Sequence, residues 1–169
     1  SGSYGVTVLS GGELTLADNV TLTSDYAGGV LNSGTFLMTG GLITKCWAVS
    51  GASGVHNLGT FEMSGGMISN CETEFWGGAV ENWGSMTMTG GTIRDNVQWA
   101  DGWADPRGIV TGGAFALSGG TVSAPGSRAI TVSGDGASLS GAPTITGMVY
   151  LSTGKVIRVG FEPWPGCVI

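Results

Sequence analysis

Apolar and polar residues alternate along this chain in short runs, and glycines separate one run from the next. Phe36-Leu37-Met38 and Phe61-Glu62-Met63 are two such runs. A period of two residues is typical of a β-strand with one buried face, whereas an amphipathic helix repeats about every 3.6 residues. Each internal glycine would also cost a helix about 1 kcal/mol relative to alanine. The pattern therefore predicts strands along the chain.

The runs recur with a constant step of 25 residues over the middle of the sequence, where the segments 29–43, 54–68 and 79–93 align without gaps. Weaker copies flank this block at unequal steps, so that the loops vary in length while the strands persist. They contain Gly12, Gly113 and Gly136. The strongest matches in register are Asn32, Asn57 and Asn82, then Met38, Met63 and Met88, and the glycine pairs at 40–41, 65–66 and 90–91.

A repeat of this length indicates a solenoid in which each strand pairs with its equivalent one turn later, about 4.8 Å away. We predict an all-β fold, a right-handed parallel β-helix of about six to seven coils, because crossovers between parallel strands are almost always right-handed. The prediction is a single domain over 1–169. Its parts are an N-terminal coil or cap at 4–26, three regular coils with a long third loop at 27–107, degenerate coils at 108–159 and a C-terminal cap at 160–169.

Stacking gives each repeated position a physical role. The three asparagines fall at a turn, where their amides can pass hydrogen bonds from coil to coil. Phe36, Phe61 and Met86 are expected to point inward together with the repeated methionines. Each such buried side chain contributes roughly 1.5 to 3 kcal/mol. The glycine pairs supply the positive φ that tight corners require.

The repeat also resembles a known family. The segment Gly59-Thr-Phe-Glu-Met-Ser-Gly-Gly-Met-Ile-Ser-Asn70, the element Gly77-Gly-Ala-Val80 and the tail Val149 to Val159 carry the resemblance. They resemble repeats of large bacterial cell-surface β-helix proteins of the adhesin-like type, which are related to polymorphic outer-membrane protein repeats. The resemblance covers roughly residues 8 to 159. It implies an extracellular or cell-surface location and a role in adhesion or glycan contact.

Composition and charge exclude several classes of protein. The net charge is -6, and the six lysines and arginines are scattered singly, so the chain repels nucleic acid and anionic membranes. No run of 18 apolar residues is present that could form a transmembrane helix, so membrane insertion is not expected.

Aromatic and acidic residues cluster where the repeat is loosest, in the loops at 46–50, 71–77 and 97–107. The candidate ligand-binding residues are Trp47, Glu72, Glu74, Trp76, Trp99, Asp101, Trp103 and Asp105. If these loops leave the same edge, the indole faces could pack on sugar rings whose hydroxyls donate to carboxylates. The alternative is that the tryptophans cover the core. The first interpretation predicts a glycan or a host or surface protein as partner.

Cys46 and Cys71 occupy equivalent positions of successive repeats and should be stacked neighbours. Their expected Cα separation allows a disulfide, but stacked side chains point the same way, so two small inward hydrophobes fit equally well. Cys-x-x-Cys is absent from the sequence, and we expect no metal site and no cofactor. The single histidine, His56, is expected to be exposed or hydrogen-bonded rather than catalytic.

We therefore expect a non-catalytic binding module with no catalytic residues, and two alternatives remain. One is a structural spacer within a larger surface protein. The other is a polysaccharide lyase or glycosidase, for which carboxylates and a base are available. These residues are Glu72, Glu74, Glu81, Asp95, Asp101, Asp105 and Arg107. Open coil ends would also permit end-to-end self-association.

Overall fold

The computed structural model of the chain describes residues 3–100 and 103–160, without the side chains of Ala100, Trp103 and Pro106. The regular elements of this part of the chain are all β-strands. Nearly all of them pair in parallel with the equivalent strand of the next turn. The fold is a parallel β-helix of about six turns with about 25 residues per turn, which confirms the predicted fold class. The predicted C-terminal cap lies, apart from Gly160, outside the described residues.

Each turn of the helix passes through three faces. The first face consists of β1 (Tyr4–Val8), β4 (Gly28–Asn32), β7 (Val55–Asn57), β11 (Val80–Asn82) and the C-terminal parts of β15 (Trp103–Thr111), β17 (Thr121–Val132) and β19 (Thr144–Leu151). The second face consists of β2 (Glu13–Leu16), β5 (Thr35–Met38), β8 (Thr60–Met63), β12 (Ser85–Met88), β16 (Ala114–Leu117), β18 (Ala137–Leu139) and β20 (Ile157–Val159).

The third face consists of β3 (Thr21–Ser24), β6 (Leu42–Ala48), β9 (Met67–Ser69), β13 (Thr92–Arg94) and the N-terminal parts of β17 and β19. Beyond it lies a short sheet, formed by the end of β6, β10 (Glu72–Thr73), β14 (Val97–Ala100) and the start of β15.

Strand pairing follows the repeat in the sequence. Val55 pairs with Val30 on one side and with Val80 on the other, so the step is the same in both directions. The next step, from Val80 to Ile109, is longer. It includes a hairpin, because β14 pairs antiparallel with the start of β15. The segment 97–107, predicted as a long loop, is therefore mostly strand.

The core lies between the three faces and is built from inward ladders. The two largest ladders are Phe36, Phe61, Met86 and Phe115, and Met38, Met63, Met88 and Leu117. All eight side chains are at most 1 % exposed. The rings of Phe36 and Phe61 stack with their centroids 4.9 Å apart and their planes within 6° of parallel. Because identical positions recur one rung apart, each side chain packs on its own equivalent.

The asparagine ladder forms as predicted. Asn32 Nδ2 donates to Asn57 Oδ1 at 2.7 Å, and Asn57 Nδ2 donates to Asn82 Oδ1 at 2.7 Å. Asn82 Nδ2 continues the chain to Thr111 Oγ1 at 3.0 Å. Each amide also donates to a backbone carbonyl of the next coil, as Asn57 does to Ser85 O at 2.9 Å. These bonds satisfy buried polar groups at the turn between the first and second faces.

The glycine pairs after the second face have two separate roles. The second glycine has positive φ, as in Gly66 at 76° and Gly91 at 81°. The first glycine is required for close approach instead, because a Cβ on Gly65 would lie 2.2 Å from a backbone oxygen of the preceding coil. The predicted positive φ is therefore found only in the second glycine of each pair.

Candidate functional site

The short sheet begins at a sharp corner in the backbone. Lys45, Asn70 and Asp95 occupy this corner on three successive coils, with φ of 54°, 53° and 55°. Left-handed backbone is costly for residues other than glycine, although asparagine and aspartate tolerate it better than most. The corner is held by rung-to-rung bonds, from Lys45 N to Asn70 O at 3.1 Å and from Asn70 N to Asp95 O at 3.0 Å.

After this corner, side chains alternate strictly between the core and the solvent. Glu72 pairs with Trp47 and with Val97, and Thr73 pairs with Ala48 and with Gln98. The inward residues are Cys46 and Ala48, Cys71 and Thr73, and Asn96 and Gln98, all of them buried. The outward residues form three rows, one per coil, which we call the outer grid. Its rows are Lys45, Trp47 and Val49, then Asn70, Glu72 and Glu74, then Asp95, Val97 and Trp99.

Two of the predicted tryptophans stand on the outer grid with a carboxylate on the coil between them. Trp47 is half-buried, and Trp99 is 41 % exposed. Trp99 Nε1 donates a hydrogen bond to Glu72 Oε2 at 3.0 Å. The bond uses one of the two carboxylate oxygens and restrains the indole on the sheet. The other oxygen of Glu72 remains able to accept a hydrogen bond from a ligand.

A groove of about 210 Å³ opens beside Trp47. Its lining residues are Asp25, Lys45, Cys46, Trp47, Asn70 and Glu72. Asp25 and its neighbour Tyr26, which is 86 % exposed, were missed as candidates. The coil that contains Asp25 and Tyr26 is shorter than the regular coils, because Ser24 pairs with Cys46. A gap-free alignment of the repeats therefore does not place these two residues beside the residues of the short sheet. The signal available was the aromatic and acidic pair itself at the end of a third-face strand.

Trp76 lies in the loop that follows β10 and is 78 % exposed. The backbone of this loop is anchored, because Trp76 O accepts from Gly51 N at 2.6 Å and from Thr73 Oγ1 at 3.3 Å. Gln98 Nε2 donates to the carbonyl of Phe75, whose side chain is also exposed. The loop therefore presents two aromatic side chains next to Glu74, at the edge of the outer grid.

In the hairpin of β14 and β15, the predicted site residue Asp105 contacts other side chains of the protein. The Asp105 carboxylate accepts from Arg107 Nε at 2.8 Å, contacts Arg107 Nη2 at 2.7 Å and also accepts from the Ser127 hydroxyl. These contacts tie the returning strand to β17, so Asp105 acts in packing and does not join Glu72 and Glu74. Asp101 lies outside the described residues, and so does the side chain of Trp103.

Cys46 and Cys71 are free, buried thiols on adjacent rungs. The Cys71 thiol donates to Ser69 O at 3.5 Å, and the Cys46 thiol donates to Thr44 O at 3.5 Å. A hydrogen bond with Cys46, together with burial, raises the pKa of Cys71. Of the two predicted arrangements, the structure has the inward pair without a disulfide. A protonated, buried thiol is a small hydrophobe rather than a nucleophile.

His56 and Glu81 form a separate polar cluster on the first face. They are rung neighbours, and His56 Nδ1 lies 3.1 Å from Glu81 Oε2. The ring of Tyr4 lies 6.0 Å from the imidazole, centroid to centroid. Burial, with a smaller effect of the Glu81 charge, raises the pKa of Tyr4 to about 12. Glu81 is thus engaged with His56 on the first face.

Fold and geometry together define a β-solenoid with an aromatic and acidic face on one short sheet. No protein-family model, curated protein or solved structure was found to match the chain. Among the described residues, no three His, Cys, Asp or Glu side chains are grouped so that they could hold a metal ion. Within the same ranges there is no helix long and apolar enough to cross a membrane.

Proposed function

We propose that this chain is a non-catalytic glycan-binding module whose ligand lies on the outer grid. A single observation carries the proposal: Trp47 and Trp99 face outward from one sheet on coils two rungs apart, with Glu72 on the coil between them. An exposed indole on a rigid strand offers a flat apolar face for the C–H side of a sugar ring. A neighbouring carboxylate accepts hydrogen bonds from the sugar hydroxyls.

Preorganisation supports this function. The hydrogen bond from Trp99 to Glu72 and the strand pairing beneath both residues reduce the conformational freedom that binding would otherwise remove. The left-handed backbone at Lys45, Asn70 and Asp95 fixes where the short sheet starts on each coil. Side chains held on strands keep their relative positions better than side chains on loops.

The proposed setting is the bacterial cell surface or the extracellular space, with the chain contributing to adhesion. This part of the proposal rests on the resemblance of the repeat to adhesin-like β-helix proteins. It is consistent with an acidic chain that has few charged side chains overall.

The test is binding of the purified chain to an array of bacterial, plant and animal glycans, followed by titration of any ligand found. We expect Trp99→Ala and Trp47→Ala each to weaken binding by about tenfold or more, which corresponds to about 1.4 kcal/mol or more. Trp83→Ala is the matched control, because Trp83 is also an exposed tryptophan, at 51 %, but lies at the turn between the first and second faces. It should leave the affinity unchanged.

The same experiment separates the alternatives. A spacer predicts no glycan binding at any concentration that the array samples. A lyase or glycosidase predicts new reducing ends when the ligand is incubated with the chain, and their loss in Glu72→Gln or Glu74→Gln. Binding without release of reducing ends, lost in Trp99→Ala and retained in Trp83→Ala, is the expected result.

A further inference from the structure

The outer grid has an orientation as well as a composition. Its columns run along the axis of the solenoid, with about 4.8 Å between rungs, and its rows run along the strands, with roughly 6.6 Å between alternate residues. Trp47 and Trp99 are two rungs apart along the axis and one grid column apart along the strand, because Trp47 is in register with Val97. The direction that joins them therefore runs mainly along the axis, across three coils.

Charge around the grid is one-sided. The carboxylates are Asp25, Glu72, Glu74 and Asp95, and the cations are Lys45 and Arg94. Arg94 pairs with Asp95, which leaves three carboxylates and one ammonium group. A surface of this kind repels a polymer that carries carboxylate or sulfate groups, and the repulsion is strongest at low ionic strength.

We infer that the ligand is a linear polysaccharide without acidic groups, lying along the solenoid axis with at least three consecutive sugar units on three coils. A pyranose unit advances a linear β-linked chain by a distance close to one rung of a parallel sheet, about 4.8 Å. One unit then stacks on Trp47, the next donates hydrogen bonds to Glu72, and the third stacks on Trp99. This inference rests on the proposed function and specifies the ligand of the same site.

The test uses cello-, xylo-, manno- and chito-oligosaccharides of one to six units, with oligogalacturonate as the acidic counterpart. Titration calorimetry at low salt should show a sharp gain in affinity, about tenfold or more, between two and three units in at least one neutral series. Little further gain is expected beyond four units, and oligogalacturonate should bind at least tenfold more weakly than the neutral hexamer.

An additional tryptophan on the outer grid tests the direction in which the polysaccharide lies. Val97 stands in the same grid column as Trp47 and Glu72, so Val97→Trp places an indole directly along the axis. We expect it to tighten binding of oligosaccharides of three to six units severalfold and to leave one- and two-unit ligands unchanged. Thr87→Trp is the matched control, since Thr87 faces outward on the second face.

The outcomes distinguish this inference from the proposed function. If none of the glycans on the array or in the series binds, both fail. If a single sugar unit binds as tightly as six, or if oligogalacturonate binds best, the axial, non-acidic ligand is wrong while glycan binding stands. Equal effects of Val97→Trp and Thr87→Trp would also overturn the axial direction.

Discussion

The second face and the short sheet belong to the same coils, but they change differently from one coil to the next. On the second face, the inward positions hold phenylalanine or methionine on three successive coils, and their side chains are almost completely buried. On the outer grid, one column reads Trp47, Glu72 and Val97. Another reads Lys45, Asn70 and Asp95.

The difference shows which positions packing determines. An inward side chain is surrounded by its own equivalents, so a change in size or polarity is costly. An outward side chain on the same strands has few neighbours, so folding constrains its type little, except at Lys45, Asn70 and Asp95, where the backbone is left-handed. The residues of the outer grid therefore carry little of the stability, which leaves them available for recognition. Three predictions test this division.

The largest effect is expected from Phe61→Ala on the second face. Phe61 is fully buried and stacks on Phe36 at 4.9 Å, so truncation removes buried area and leaves a cavity. We expect the free energy of unfolding to fall by about 4 kcal/mol. Urea unfolding followed by circular dichroism measures it.

The control is Glu62→Ala, the adjacent outward residue on the same strand. Its unfolding free energy should stay within about 0.5 kcal/mol of the original chain. Similar losses in the two variants would contradict the division of the strand into a packed side and a free side.

A smaller loss is expected from Asn57→Ala. Asn57 accepts from Asn32 and donates to Asn82 and to the backbone oxygen of Ser85, all within a buried turn. Removing the amide leaves several buried groups without partners, each costing about 1 to 3 kcal/mol. Since solvent can enter part of the space, we expect about 3 kcal/mol in the same urea experiment. Thr87→Ala, on the outer surface of the second face, should change stability little, and a comparable loss there would contradict the ladder's role.

Most of the fold could be predicted from the sequence because the same forces act at every coil. The register of Asn57 with its neighbours and the inward position of Phe61 follow from the constant period of the repeat and the alternation of a strand. The hairpin of β14 and β15 was missed, although Asp101-Gly102 between two short alternating runs is a recognised hairpin sequence. The hairpin is an insertion in one coil, so alignment of the repeats does not reveal it.

The candidate site could be predicted only in part. Outward positions of Trp47, Glu72, Glu74 and Trp99 follow from alternation after the corner. The hydrogen bond between Trp99 and Glu72 joins side chains on different coils and in different grid columns, which neither register nor spacing predicts. The engagement of Asp105 by Arg107 and Ser127 also depends on the folded structure, and the sequence pattern does not predict it.

The smallest expected effect is a pH dependence of stability due to Tyr4, which lies on the first face. Tyr4 is half-buried, and its ring lies so close to Gly28 that a Cβ there would be 2.6 Å from Tyr4 Cε1. Burial and the Glu81 charge raise its pKa from 10.0 to about 12. The folded chain thus holds this proton more tightly than the unfolded chain. Stability should be constant with respect to Tyr4 below pH 10 and should fall as the pH rises from about 10 to about 12.

Tyrosinate absorbance measures this directly, when the titration of Tyr4→Phe is subtracted from that of the unchanged chain. The difference should show one phenol titrating near pH 12. Glu81→Gln removes the smaller cause and leaves burial in place, so the pKa of Tyr4 should move down but remain above 10. A difference curve centred at pH 10 in the unchanged chain would mean that Tyr4 is solvated like a residue of the outer grid. The Tyr4 side chain would then lie in solvent at the surface of the first face instead of being packed against it.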